Sequence, residues 1–267
     1  MDEHTFRETL SDIPLGSLRY FEQTGSTNDI ALDWAAEGAP DLALVYAEEQ
    51  TAGRGRGNRR WFTPPGAALA FSLVFRPMPG EQQSVPLFSA LGALAVCEAL
   101  AGQGLHPEIK WPNDVLLNRR KTCGILAESV WTGENVDSIV LGIGVNIKVE
   151  AVPPAGQLNF PATSLETEAR AQGIQPTDQT LDRFGLLRQM LQALIYWRGL
   201  LATDIFYHAW ESRLAFRGEQ VEIWGEDREL MAGQVDGLER DGSLRLRSPD
   251  GKFITVQFGE VHLRPVL

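Results

Sequence analysis

The chain has 267 residues, enough for one large domain or for a medium domain followed by a small one. Hydrophobic residues make up 43% and charged residues 22%, as in ordinary globular proteins, and no run approaches the roughly 20 apolar residues of a membrane span. The formal net charge of −11 argues against a protein that binds nucleic acid over a broad face. The N-terminus lacks a secretory pattern, and the two cysteines form no disulfide framework, so we expect a cytoplasmic protein.

Short apolar strands and amphipathic helices alternate in the first half of the chain. Ser26, Thr27 and Asn28 supply capping side chains ahead of a helix that ends near Gly38. A second helix opens at residues 84–86 and ends near residue 102. The apolar runs predict strands at residues 18–21, 42–47, 68–75, 108–111, 115–117, 124–130 and 138–146.

The second half predicts two helices and then a small β unit. Residues 151–180, rich in Pro, Ala, Gly and Thr, predict one or two long loops. One helix carries an apolar face from Leu181 to Ile195, and another covers residues 205–214. Beyond it, apolar and polar residues alternate with period 2, and Asp241-Gly242 is a hairpin signal. We therefore predict a mixed α/β domain over residues 1–214 and a small all-β domain over residues 215–267.

The segment TAGRGRGNRRW, residues 51–61, is an isolated cationic patch on an acidic chain. Its glycines allow backbone N–H groups to approach an anion, and arginine offers a planar fork of donors that matches carboxylate and phosphate. The pattern predicts a focused site for small anions. A nucleic-acid-binding segment or a plain basic loop is the alternative, although Arg-Gly segments of that kind are usually longer and repeated.

Two further segments carry polar side chains next to apolar strands. In KWPNDV, residues 110–115, Asp114 lies at a turn and either binds Mg²⁺, orients a ribose or simply fills the turn. In RRKTCGILAES, residues 119–129, Lys121 precedes a strand and either points into a pocket or belongs to a solvated basic turn. Cys123 is predicted to be a small buried residue, because no histidine is close in sequence to act as its base.

The order of these motifs resembles the biotin–protein ligases, also called biotin–acetyl-CoA-carboxylase ligases. The resemblance runs from residue 17 to the C-terminus. It rests on GSTN at 25–28, EQTAGRGR at 49–56, KWPND at 110–114, Lys121 with GIL at 124–126, and GIGVN at 142–146. Two departures stand out: Arg59-Arg60 replaces a common Arg-Lys pair, and Thr122-Cys123 occupies positions that are usually small or apolar, which puts Cys123 near biotin.

The resemblance implies an α+β fold, with a mixed-sheet catalytic domain of the biotin/lipoate-ligase type followed by a small SH3-like β-barrel. It implies catalytic roles for Lys121, Arg54 and Arg56, and a possible Mg²⁺ contact for Asp114. The implied biotin-binding residues are Ser26, Thr27, Asn28, Gln50, Gly53, Arg54, Gly55, Arg56, Lys121, Gly124 and Gly142. The implied nucleotide-binding residues are Arg56, Arg59, Trp61, Trp111, Asn113, Asp114 and Asn146.

The resemblance also implies a reaction. ATP and Mg²⁺ activate biotin to biotinyl-5′-AMP, and biotin then passes to a lysine of a biotin carboxyl carrier protein or domain. About 16 residues precede the shared region, so we expect no DNA-binding domain, no repressor activity and no nucleic-acid or membrane partner, while a homodimer is possible. The alternatives are a lipoate or octanoate ligase with the same fold, a nucleic-acid-binding module, and a degenerate ligase that acts as a sensor.

Overall fold

The structure is a computed structural model that describes residues 3–57, 59–154, 156, 158, 160–174, 182–224, 230–257 and 262–265, the last range by its backbone except at Pro265. Within these ranges the α-helices are α1 (Glu3–Thr9), α2 (Thr27–Ala36), α3 (Phe88–Gly102), α4 (Leu165–Ala171), α5 (Arg183–Arg198) and α6 (Asp204–Ser212). The strands are β1 (Ser17–Thr24), β2 (Ala43–Gln50), β3 (Ala68–Phe75), β4 (Pro107–Lys110), β5 (Asp114–Leu117), β6 (Arg120–Thr132), β7 (Asn135–Asn146), β8 (Gln220–Trp224), β9 (Leu230–Leu238), β10 (Leu244–Arg247), β11 (Phe253–Val256) and β12 (His262–Pro265).

Seven strands form one mixed sheet in the order β1-β2-β3-β7-β6-β5-β4. β1 and β2 run parallel, and the other neighbours are antiparallel. Helices α3 and α5 pack on one face, and α2 packs on the other. β3 is buried along its whole length, which explains its continuous apolar sequence, since a strand covered on both faces does not alternate.

The two faces of β7 have different environments. Its odd-numbered residues 139–145 belong to the large core under α3, because successive side chains of a strand point to opposite faces. On the other face, Val140 packs in the cluster formed with Ala31 and Ala35 of α2. Gly142 and Gly144 continue that face beyond the cover of α2, and they line a cavity. The N-terminal end of α2 therefore determines where the sheet becomes accessible.

The remaining strands form a five-stranded antiparallel sheet in the order β11-β10-β9-β8-β12. Its buried side chains, including Val221 and Leu244, are continuous with the main core. The Trp111 indole Nε1 donates a hydrogen bond of 3.0 Å to the carbonyl of Gly242, in the predicted hairpin turn between β9 and β10. A small antiparallel unit follows the mixed sheet, as predicted, while the SH3-like barrel and the boundary at residues 214/215 stay predictions.

Several local predictions need correction. Residues 151–180 contain α4, which the loop prediction missed, although part of this range lies outside the described residues. Lys121 lies within β6 rather than before it, because Asn118 and Arg119 make the preceding turn with φ values of 47° and 61°. Ser26 occupies the N-cap of α2, but its side chain makes no cap hydrogen bond. Leu181 and Phe258, assigned to predicted elements, lie outside the described residues.

The helix predicted to open at residues 84–86 and to end near residue 102 is confirmed, although its apolar run is longer than expected. Residues Glu81–Gly102, a 3₁₀ turn continued by α3, are long and apolar enough by length and composition alone to cross a membrane. In this fold 67% of the most apolar stretch is buried, with α3 between the sheet and α5. The buried position is that of the core helix of a folded domain.

Candidate active site

A cavity of about 740 Å³ opens on the α2 side of the seven-stranded sheet. Its floor crosses a row of small residues on adjacent strands, because Gly124 of β6 pairs with Gly144 of β7, which pairs with Ala70 of β3. Asp114 of β5 pairs with Gly124 at the end of this row. Small residues here leave a depression in the sheet where a ligand can lie against the backbone.

Trp61 lies in this depression. A Cβ atom at Gly144 would lie 2.2 Å from the Trp61 indole Nε1, and one at Gly124 would lie 3.0 Å from the same ring. Only glycine allows this contact at Gly144. The indole Nε1 is buried and has no hydrogen-bond partner among the described residues, so an acceptor atom on a bound ligand would satisfy it.

A polar network closes the α2 end of the cavity. Both the backbone N–H and the hydroxyl of Thr27 donate to Gln50 Oε1, at 2.8 and 3.0 Å. The Gln50 amide donates in turn to Thr63 Oγ1 at 3.0 Å. Ser72, on β3, lies below them and donates to Asn28 Oδ1 at 2.6 Å. The amide and hydroxyl groups are thus held in fixed orientations, as the recognition of a neutral polar ring requires.

The Asn28 side chain has the closest approach to the floor. A Cβ atom at Gly142 would lie 2.0 Å from Asn28 Oδ1, so glycine is required there. The Asn28 amide donates to Glu128 Oε2 at 2.8 Å and to the carbonyl of Leu126 at 3.3 Å. Both partners lie on the cavity side of β6.

The arginine-rich loop covers the open side of the cavity. Arg54 makes ion pairs with Asp29, at 2.8 Å, and with Glu128, at 2.5 Å. The Arg56 guanidinium donates to Asn113 Oδ1 at 3.3 Å. In separate contacts, Arg59 donates to the carbonyl of Arg56 and Arg60 to that of Thr51. The loop is therefore attached both to α2 and to the segment that follows β4.

A carboxylate held between two ammonium groups lies at the other end of the cavity. Asp114 Oδ1 is 2.5 Å from Lys121 Nζ, and Asp114 Oδ2 is 3.2 Å from Lys110 Nζ. Burial raises the pKa of the Asp114 carboxyl, but the two ammonium groups outweigh burial and hold that pKa well below its usual range. Burial also lowers the pKa of the Lys110 ammonium, against the opposing effect of Asp114. This excess of positive charge in a partly enclosed space suits an anionic ligand.

The cavity brings together almost every residue predicted for the site. It is lined by Ser26, Thr27, Asn28, Gln50, Arg54, Gly55, Arg56, Arg59, Trp61, Asn113, Asp114, Lys121, Gly124, Gly142 and Asn146.

Two residues predicted for the site, Gly53 and Trp111, do not line the cavity. A Cβ at Gly53 would lie 2.5 Å from the Trp61 carbonyl, so this glycine shapes the loop. Trp111 is 1% exposed and bonds to Gly242, and its nucleotide-binding role stays a prediction. Cys123 is buried and does not line the cavity either.

Sequence reasoning missed four residues that act at the cavity. Ser72 and Glu128 are reached only through the pairing of distant strands. Lys110 is the first letter of the KWPND motif, and its ammonium lies 4.9 Å from the centre of the Phe160 ring. Phe160 lies in residues 151–180, for which only loops were predicted. The charge of Lys110 beside the apolar run of β4 was the one available signal for these residues.

Comparisons with known proteins agree with this geometry. A family model described as "Biotin/lipoate A/B protein ligase family" matches residues 20–146. The biotin–[acetyl-CoA-carboxylase] ligase of Paracoccus denitrificans is 38% identical over 86% of this chain and 94% of its own length. The Mycobacterium tuberculosis protein of the same name is 34% identical over 99% and 96%.

Other relatives differ in length or are known by structure. The chain spans about half of the Bacillus spizizenii bifunctional ligase/repressor BirA, since the alignment, at 36% identity, covers 51% of that protein. A solved structure of the Aquifex aeolicus biotin protein ligase in complex with biotin and ATP superposes with a TM-score of 0.74, at 25% identity, over 94% of this chain and 99% of that chain. The chain therefore belongs to the biotin/lipoate A/B protein ligase family, as a ligase enzyme of the biotin–protein ligase type.

Proposed function

We propose that this chain activates biotin with ATP to biotinyl-5′-AMP and transfers biotin to a lysine of a biotin carboxyl carrier protein or domain. The observation that carries the proposal is the position of Lys121, whose ammonium lies beside Asp114 at the end of the glycine-floored cavity opposite α2. The polar network around Thr27, Asn28 and Gln50 would bind the ureido ring of biotin at the α2 end. The biotin–ATP complex of the Aquifex aeolicus relative supports both substrates.

In the first step a carboxylate oxygen of biotin attacks the α-phosphorus of ATP, and pyrophosphate leaves. Two anions must meet, so the reaction needs positive charge at the meeting point. Lys121, Arg56 and Lys110 all line the cavity where this would occur. Hydrogen bonds to charged groups are each worth about 1.5–3 kcal/mol. Lys121 would move its ammonium from Asp114 to the reacting oxygens as negative charge develops there.

In the second step the neutral amine of a carrier lysine attacks the acyl carbon of biotinyl-5′-AMP. An amide forms, AMP leaves with the electron pair of the anhydride bond, and the attacking nitrogen releases a proton to the solvent. The mixed anhydride is sensitive to water, so the loop of residues 53–60 would protect it by covering the cavity. No covalent enzyme intermediate is required.

The donor set fits Mg²⁺ only as a cation brought by the nucleotide. Among the described residues no group of three or more His, Cys, Asp or Glu side chains forms a metal site. Mg²⁺ is typically held by one or two carboxylates together with substrate phosphates, and Asp114 supplies one such carboxylate. A Mg²⁺ ion bound there would neutralise phosphate charge.

The proposal extends to the setting of the enzyme. The carrier is a biotin carboxyl carrier protein or domain, as the names of the Paracoccus and Mycobacterium relatives suggest. We place the enzyme in the cytoplasm, as a possible homodimer. No transcriptional repression is proposed, and the net charge of −11 supports this because repressors need a basic face for the operator.

The experiment that tests the function is biotin-dependent exchange of labelled pyrophosphate into ATP, with octanoate and lipoate in parallel reactions. Exchange with biotin alone is the expected result, and subsequent transfer of labelled biotin to a carrier domain completes the assignment. Exchange with the fatty acids instead would assign the chain to the lipoate branch of the family. The absence of exchange with all three acids would overturn the proposal and favour a sensor.

A further inference from the structure

The guanidinium of Arg54 is paired with two carboxylates of the protein. Its Nε lies 2.8 Å from Asp29 Oδ1, while Nη1 and Nη2 donate to the two oxygens of Glu128 at 3.0 and 2.5 Å. Bidentate pairing of this kind is the strongest geometry an arginine makes with a carboxylate. Two negative charges therefore surround one positive charge, which leaves little of it for an anionic substrate.

Arg56, two residues further along the loop, has a different partner. Its guanidinium donates to the neutral amide oxygen of Asn113. The two arginines of the motif thus face different environments, although their sequence contexts are nearly identical.

Glu128 connects the arginine-rich loop to the polar network around Thr27, Asn28 and Gln50. Besides Arg54 it accepts from the Asn28 amide at 2.8 Å, so one carboxylate contacts both the loop and the start of α2. Glu128 lies in the middle of β6, paired with Val140 of β7, where the backbone is fixed by its neighbours in the sheet. Asp29, in the first turn of α2, provides the second attachment.

We propose that Glu128 and Asp29 are positioning residues that hold the arginine-rich loop over the cavity through Arg54. These three residues are termed the loop anchor. Arg54 is then a positioning residue rather than a catalytic one. This inference rests on the proposed function only for what the loop covers, because the attachment itself is a property of the ligand-free chain.

The first test measures loop opening without any substrate. Trypsin cleaves after arginine, so its rate of cleavage within residues 54–60 of the native protein reports the population of the open loop. Glu128→Gln keeps the size and an amide acceptor for Asn28 but removes the charge, and we expect roughly threefold to tenfold faster cleavage. Glu219→Gln is the matched control, since Glu219 makes a bidentate pair with Arg119 at 2.7 Å and neither residue lines the cavity.

Unchanged cleavage in Glu128→Gln, or equal acceleration in both variants, would overturn the loop anchor. A double-mutant cycle adds specificity. Once Arg54→Met has removed the guanidinium, Glu128→Gln should have little additional effect on the cleavage rate. Fully additive effects would show that Glu128 acts on the loop without Arg54.

The second test follows retention of biotinyl-5′-AMP in the absence of carrier. We expect Asp29→Asn, which leaves the hydrogen bond between Asn28 and Glu128 in place, to form the intermediate at a rate within about twofold of wild type and to release it roughly threefold to tenfold faster. A slower first step with unchanged release would assign Arg54 to catalysis and overturn the proposal. If even wild type forms no adenylate, the proposed function fails, and the trypsin comparison still decides the loop anchor.

Discussion

The Lys121 ammonium lies 2.5 Å from Asp114 Oδ1, so the lysine assigned to the substrate's carboxylate already has a carboxylate partner within the protein. A substrate must therefore compete with Asp114 for this ammonium. Lys110, on the other oxygen of Asp114, keeps that carboxylate partly compensated when Lys121 shifts. The cluster of three charges thus permits Lys121 to change partners without leaving Asp114 as an isolated buried anion.

Replacement of the central lysine tests its role directly. Lys121→Ala should keep the fold, because Asp114 retains Lys110, and should lower pyrophosphate exchange by at least about a hundredfold. Far-UV circular dichroism and exchange rates are the measurements. Lys252→Ala, which removes an exposed lysine paired with Asp250, is the control and should behave as wild type. Near-normal exchange in Lys121→Ala would remove the central assignment.

Replacement of Asp114, the carboxylate shared by the two lysines, should destabilise the fold, whereas Lys121→Ala should not. Asp114→Asn leaves Lys110 and Lys121 facing each other without an anion, and the loss of one partner of a buried pair costs about 3 kcal/mol. Urea unfolding at neutral pH measures the change in the free energy of unfolding. A variant as stable as wild type would show that the two ammonium groups do not depend on Asp114.

The same carboxylate predicts a pH dependence. Its pKa is lower in the folded chain than in the unfolded chain, so its contribution to stability is fully present above the unfolded value of about 3.9 and is lost as the pH falls below it. Wild type should lose stability more steeply than Asp114→Asn between about pH 4.5 and pH 2.5. Parallel stability profiles of the two proteins over this window would contradict the ion-pair assignment.

A methyl group on the floor should impair biotin binding. Gly142→Ala places a Cβ atom 2.0 Å from Asn28 Oδ1, so the Asn28 amide must move away from Glu128. We expect KM for biotin to rise by about tenfold or more, since a displaced hydrogen-bonding group is worth about 1–3 kcal/mol. Gly102→Ala, where the nearest atom is 3.8 Å away, is the matched control. Equal KM values in the two variants would show that Asn28 does not position biotin.

Loss of the second loop arginine should affect retention of the intermediate. Arg56→Gly removes the contact with Asn113 and makes the loop more flexible, so biotinyl-5′-AMP should still form but escape about tenfold faster. Rapid filtration of labelled intermediate gives the release rate. Arg240→Gly, at an exposed turn, serves as control. A variant that retains the intermediate as tightly as wild type would exclude a covering role for Arg56.

The thiols should be inert in the folded protein. Burial raises the pKa of Cys97 to about 12 and raises the pKa of Cys123 well above its usual range, and the thiolate is the reactive form. An aromatic disulfide reagent should therefore modify neither cysteine until urea is added, when both react. Rapid modification of Cys123 in the folded chain would show that it is accessible from the cavity.

Apolar patterning predicted the main sheet well, and strand β3 illustrates why. Residues Ala68–Phe75 are apolar except for Ser72, and a fully buried strand needs that run. Helix α4 was missed because it is short and lies in a segment rich in helix-disfavouring residues. Its N-cap, Ser164, accepts a hydrogen bond from the Thr167 N–H, which is a weak signal in a sequence.

Those residues of the site that lie in sequence motifs could be predicted. The resemblance assigned Asn28, Gln50 and Lys121 to biotin and Asp114 to the nucleotide, and the structure places all four on one cavity, with Lys121 paired to Asp114. Ser72 and Glu128 could not be found in this way, because they meet Asn28 only through the register of β3, β7 and β6. The neutralised charge of Arg54 likewise depends on two carboxylates that are distant in sequence.

The hydrogen bond from the Trp111 indole to Gly242 joins the KWPND segment, and with it Asp114, to the small C-terminal sheet. A chain shortened after residue 214 would leave this buried donor unsatisfied and expose the apolar surface beneath it. Exchange of C-terminal units between relatives would therefore succeed only where the incoming turn presents a carbonyl to Trp111. The described residues of the small sheet do not line the cavity, yet the sheet constrains how the enzyme can be dissected or recombined.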